Sequence, residues 1–163
     1  MEKKDRFFQI VKQNEGLIFK VAMLYTYNPQ DREDLYQEIV FQLWKSFDSF
    51  SEKSKLSTWM YRVAMNTAIY NLKSTKKQVN TVPLELVTMG HADVSDKLEE
   101  ERLKLLYEHI QLLNLLEKGI ILLFLEGKSH QEIAEIIGIT TSNVGTKISR
   151  IKEKLKSTIT KAN

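Results

Sequence analysis

The stretch Ser129–Leu155, SHQEIAEIIGITTSNVGTKISRIKEKL, reads as two short helices hinged at Gly138. Glycine suits a tight interhelical turn because it accepts φ > 0, and a small residue at the crossing, here Ala134, lets two helices approach closely. Ile133, Ala134, Ile137, Ile139, Val144, Ile148 and Ile151 recur at helical spacing and form an inner side. Ser129 and Thr140 stand at N-cap positions, and Glu132 completes a capping-box pattern. The second helix then shows Ser142, Asn143, Thr146, Lys147 and Arg150 on its outer side, with Thr140 at its start and no acid before Glu153. Arg and Lys donate to guanine edges, Asn pairs with adenine, and Ser or Thr anchors phosphate. The spacing predicts a helix-turn-helix that reads duplex DNA. The plainer reading is a helical hairpin with a solvated basic face.

Outward from the hairpin, 163 residues suffice for one ordinary domain or two small ones. With 42% apolar and 28% charged residues the composition is that of a globular protein rather than a disordered one. The absence of cysteine excludes a disulfide framework, a thiol nucleophile and Cys-based zinc sites. No apolar run approaches the roughly 18 residues of a membrane span, and MEKKDRFFQIVKQ lacks the apolar core of a secretory signal, so a cytoplasmic location is expected. The net charge of +3 divides unevenly: residues 1–77 carry +4, residues 78–101 carry −5, and residues 102–163 carry +4. This order suggests two anion-facing modules joined by an acidic connector, although solvated surface charge can produce the same pattern.

Strand signals are almost absent. Phe7, Ile10, Val11, Leu17, Ile18, Val21, Ala22 and Tyr25 suggest one or two helices before a turn at YNPQDRED. Asp31 is a plausible cap for the next helix, whose stripe is Leu35, Ile39, Leu43, Trp44 and Phe47. Asp48–Lys55 reads as a loop, and Ser57 or Thr58 as the cap of a helix carrying Met60, Val63, Ala64, Thr67 and Ala68 on one face. Periodicity lapses from Gln78 to about Ser95 and resumes at Lys97; LLEKGIILLFLEG is an apolar helix ended by Gly127. The expected fold is all-α: two small helical domains, 1–77 and 98–163, joined by an extended acidic linker, 78–97, with the helix-turn-helix in the second.

Two blocks in the front half carry further meaning. DREDLYQEIVFQLWKSFDSF contains Asp34, Leu35, Gln37, Glu38 and Trp44; KLSTWMYRVAMNTAIYNLKSTKK contains Ser57, Thr58, Trp59, Tyr61, Arg62, Asn66 and a basic tail of Lys73, Lys76 and Lys77. With the hairpin run EIAEIIGI, these blocks resemble bacterial RNA polymerase sigma factors of the extracytoplasmic-function type, over nearly all of the chain outside the linker.

The resemblance implies a transcription initiation factor with two DNA-reading domains and no catalytic activity of its own. The front domain would open and read the minus-ten promoter element, and the rear domain would read the minus-thirty-five element as duplex. Asp34, Leu35, Gln37 and Glu38 would dock on the core enzyme, although an acidic patch opposite an apolar stripe is by itself an ordinary solvated face. Phe50, Ser51, Lys53, Lys55, Trp59, Arg62, Asn66, Tyr70 and Lys73 would hold the minus-ten strand, since unstacked bases favour aromatic surfaces beside a cationic track. Tyr61, in the same helix, adds a further aromatic to that track. Trp59 reads more readily as core, Trp44 and Phe47 as core, and Tyr70 as either. Thr140, Ser142, Asn143, Thr146, Lys147 and Arg150 would contact the minus-thirty-five element. The implied partners are core RNA polymerase, through its beta and beta-prime subunits, promoter DNA, and an anti-sigma factor, free or membrane-anchored.

The chain departs from the family pattern in two places. Glu117, Lys118 and Gly119 replace the Pro and Arg that many members carry before the rear apolar helix, and Gly145 stands where members often have Lys. The rival reading is a ligand-responsive helix-turn-helix dimer acting as repressor or activator, which leaves STWMYRVAMN unexplained. An enzyme fits poorly: His91, His109 and His130 lack metal-ligand spacing, and there is no P-loop or nucleophile elbow. No metal or cofactor is expected.

Overall fold

The computed structural model describes residues 2–50, 54–75 and 97–162. The chain divides into two compact units, Met1–Asn80 and Thr81–Asn163. Among the described residues there are eight α-helices and one 3-10 turn, and no strand, as the all-α reading expected. The acidic linker falls outside the described residues except for Lys97, which opens a helix.

The front unit holds α1 (Lys3–Gln13), α2 (Glu15–Leu24), α3 (Pro29–Ser46) and α4 (Leu56–Thr75), with a 3-10 turn at Phe47–Ser49. The cap of α3 is Asn28, not Asp31: its side-chain oxygen accepts the Asp31 N–H at 2.8 Å. Proline at the first helical position has no N–H to leave unpaired and a preset φ, so the helix starts two residues before Asp31. Ser57 and Thr58 likewise lie inside α4, which begins at Leu56. The core joins Ile18, Val21 and Leu24 of α2 to Ile39 and Leu43 of α3 and Met60, Ala64 and Ala68 of α4, all essentially inaccessible. α1 adds Phe7, whose ring meets Trp44 and Phe47 edge-on at 5.1 and 5.3 Å. Trp44 was expected in the core but stays 36% exposed. It sits at the rim, with Phe7 against it and the Lys3 ammonium 4.5 Å from the centre of its ring.

The rear unit holds α5 (Lys97–Ile110), α6 (Leu115–Leu125), α7 (His130–Ile137) and α8 (Thr141–Ala162). Capping boxes start α6 at Asn114/Glu117 and α7 at Ser129/Glu132. Gly127 ends α6 at φ +81°: its N–H bonds to Phe124 O and that of Lys128 to Leu123 O, the paired closure that needs a left-handed residue. Gly138 ends α7 at φ +87°, where its own N–H and that of Ile139 both bond to Ala134 O. Ile120 and Leu123 of α6, Ile133 and Ile136 of α7, and Val144, Ile148 and Ile151 of α8 form the core. Lys118 is buried with them, 3% exposed, its ammonium donating to Gln111 Oε1 at 2.8 Å. Burial pushes its pKa down to about 8.

Candidate nucleic-acid and partner surfaces

α4 presents one exposed row. Arg62, Asn66, Tyr70 and Lys73 follow one another at spacings of four, four and three, which at 3.6 residues per turn keeps them within an arc of about 80°. All four are exposed, and Tyr70 reaches 71%. The opposite face carries the buried Met60, Ala64 and Ala68, so the core fixes where the row points. Trp59 begins the same row by register but is only 7% exposed, with Phe50 stacked on it at 4.9 Å and 23° and Phe47 tilted beside it at 6.3 Å. Trp59 therefore supports the half-buried Phe50 ring. Tyr61, grouped with these aromatics by sequence, points into the core. Lys55 is exposed just before α4, and Ser51 and Lys53 lie outside the described residues.

α3 shows a second surface. Asp34 and Gln37 are exposed and Glu38 is half-buried, whereas Leu35 belongs to the core and holds the helix in place. The same face carries a residue missed by the sequence reading: Phe41, 51% exposed, three residues beyond Glu38, with the Lys45 ammonium 5.4 Å from its ring centre. Gln42 donates to Glu38 Oε1 at 3.1 Å and orients that carboxylate. The available signal was a Phe at helical spacing from Asp34, Gln37 and Glu38 and off the Leu35–Ile39–Leu43 stripe.

In the rear unit the predicted hairpin forms. Thr140 caps α8 by accepting the Asn143 N–H at 3.1 Å. Ser142, Asn143, Thr146 and Arg150 are exposed, Lys147 is half-buried at the edge, and Val144, Ile148 and Ile151 face inward. Thr146 Oγ1 donates to Ser142 O at 3.3 Å. The arrangement gives a rigid helix face of hydroxyl, amide and cationic groups.

A fourth feature was not legible in the sequence. Between α5, α6 and the distal half of α8 runs an open groove of about 390 Å³, walled by Leu106, Ile121, Phe124, Leu125, Leu155 and Ile159. Lys152 and Lys156 edge it, and the Lys152 ammonium stands 4.4 Å from the Phe124 ring centre. Among the described residues no cluster of His, Asp and Glu has metal-binding geometry, and no helix is long and apolar enough to cross a membrane.

Comparison with known proteins agrees with this layout. The family model for Sigma-70 region 2 matches residues 10–78, and that for Sigma-70 region 4 matches residues 103–155. The ECF RNA polymerase sigma factor SigW of Bacillus subtilis is 28% identical over 165 residues, covering 94% of this chain and 88% of that protein. The ECF RNA polymerase sigma-E factor of Haemophilus influenzae is 31% identical over 154 residues, covering 86% of this chain and 82% of that one. Among solved structures, sigma factor RpoE in complex with the anti-sigma factor NepR from Bartonella quintana superposes with a TM-score of 0.75 at 19% identity, covering 95% of this chain and 97% of that one. CnrH in complex with the cytosolic domain of CnrY gives 0.71 at 18%, covering 99% and 92%. At such identities the structural matches speak for the fold. With regions 2 and 4 both present in order, and a relative 31% identical across most of both chains, this chain belongs to the ECF RNA polymerase sigma factors.

Proposed function

We propose that this chain is a promoter-directing transcription initiation factor acting in the cytoplasm, which binds core RNA polymerase and brings it to promoters through two separate DNA faces. The observation that carries the reading is the pairing of an exposed aromatic and cationic row on α4 with a donor-rich, ring-free face on α8, one on each unit. In this reading Phe50, Arg62, Asn66, Tyr70 and Lys73, with Ser51, Lys53 and Lys55 just before α4 in the sequence, hold the minus-ten strand. Stacking on aromatic rings beside cations suits unpaired bases of any sequence. Trp59 positions Phe50. Thr140, Ser142, Asn143, Thr146, Lys147 and Arg150 read the minus-thirty-five duplex through base edges and phosphates.

Asp34, Gln37, Glu38 and Phe41 dock on the polymerase core, with Leu35 holding their helix; an apolar ring within a polar, acidic surround is the usual composition of an interface centre. The groove of the rear unit supplies a second hold on the core. Its apolar walls and the rims at Lys152 and Lys156 fit an apolar segment flanked by carboxylates. Control by an anti-sigma factor, free or membrane-anchored, completes the proposal. Both structural neighbours were solved with a partner protein, the anti-sigma factor NepR in one case and the cytosolic domain of CnrY in the other. The test is run-off transcription with core enzyme, with and without this chain, on a genomic fragment library from the source cell. Discrete start sites that need the chain are expected; their absence overturns the reading.

A further inference from the structure

The recognition helix lacks a side chain at Gly145, and the structure shows what stands there instead. Ser142 and Ser149, both exposed, lie one turn before and one turn after Gly145, which places Gly145 on the flank of the outer face. A Cβ built at Gly145 would meet His130 Nδ1 at 3.7 Å and Cε1 at 3.8 Å. The imidazole of His130 on α7 therefore lies beside this part of α8. His130 is exposed and its ring makes no hydrogen bond among the described residues, so a ring N–H is available as a donor. In helix-turn-helix docking the second helix enters the major groove while the first crosses the sugar-phosphate backbone. A donor projecting from the first helix, beside the second, is placed where phosphates pass.

We propose that His130 contacts a backbone phosphate of the minus-thirty-five duplex, taking the place on the α8 flank that Gly145 leaves without a side chain. The proposal rests on the reading of α8 as the duplex-binding face. The contact carries no base information and fixes register. It also gives Gly145 a meaning: a long cationic side chain there would extend past the ring and take over the phosphate.

The experiment measures equilibrium binding of holoenzyme, core plus full-length chain, to a duplex selected from a random library by the wild-type holoenzyme. His130→Ala is expected to weaken binding about three- to tenfold, the size of one ordinary solvent-exposed hydrogen bond. His130→Gln, which keeps an N–H donor, restores most of it. His130→Asp weakens binding further through repulsion of phosphate, yet leaves the melting temperature unchanged or higher, because an acid in the first turn of α7 favours the helix. In a Gly145→Lys background, His130→Ala is expected to cost nothing. Binding by His130→Ala within twofold of wild type, or the same cost of His130→Ala with Gly145 and with Lys at that position, overturns the proposal. A wild-type holoenzyme that selects no sequence at all overturns the underlying reading of α8 as well, so the two failures are distinguishable.

Discussion

On α4 the exposed row includes an aromatic ring, Tyr70, and a second, half-buried ring, Phe50, stands before the helix, stacked on Trp59. On α8 the outer face between Thr140 and Arg150 has no ring at all, only hydroxyls, an amide and cations. Both helices are locked by an apolar stripe on the opposite side, so the difference lies in the ligand each suits rather than in the scaffold. Rings bind bases that have left the stack, whereas donors on a rigid helix bind base edges that are still paired.

The largest expected effects separate these two faces. Tyr70→Ala with Arg62→Ala removes a stacking platform and a cation, each worth about 1–3 kcal/mol. Permanganate probing of unpaired thymines should show promoter opening lost while closed-complex binding survives. Lys147→Ala with Arg150→Ala, at a similar cost, should abolish closed-complex binding and spare the affinity for single-stranded minus-ten oligonucleotide.

The two units also differ in what they bury. Lys118 sits in the rear core and is pushed by burial from 10.5 down to about 8. Between those values the unfolded chain holds a proton that the folded chain has released, so stability climbs as pH rises from 8 to 10.5. Below that window the buried ammonium costs about 3 kcal/mol. Lys118→Met should flatten the climb, and hydrogen exchange should locate the change in α6 and its neighbours, not in α2–α4. A climb that persists in the Met variant would refute the assignment. On the front unit, Phe41→Ala should cost about 2 kcal/mol in core binding with DNA contacts unchanged, as expected for an aromatic centre of an interface; affinity for core enzyme, measured by fluorescence, decides it. The smallest effect is Gly138→Ala, which forces a Cβ into a left-handed turn at φ +87° and should destabilise the rear unit by about 1 kcal/mol in denaturant unfolding.

Much of this was legible in the sequence, for identifiable reasons. Period-3.6 apolar spacing exposed the helices, and local chemistry exposed the caps at Ser129 and Thr140 and the glycine stops at Gly127 and Gly138. The Asn28 cap escaped because Asp31 also matches the cap pattern, and only the proline at the first helical position decides between them. Trp44 and Tyr61 went the other way from expectation because a Trp or a Tyr suits a core or a rim equally, and its burial depends on what a distant helix brings. Phe7 of α1 leaves Trp44 partly uncovered, while Tyr61 is enclosed. The groove and the nearness of the His130 ring to Gly145 are tertiary features formed between separate helices, without a local signature.

The claim that the two faces serve different states of one promoter is tested most directly by competition binding of holoenzyme to fork templates. One template carries duplex minus-thirty-five DNA alone and the other single-stranded minus-ten DNA alone. Tyr70→Ala with Arg62→Ala should lose affinity only for the second template, and Lys147→Ala with Arg150→Ala only for the first. Equal losses on both templates for either pair would contradict that claim.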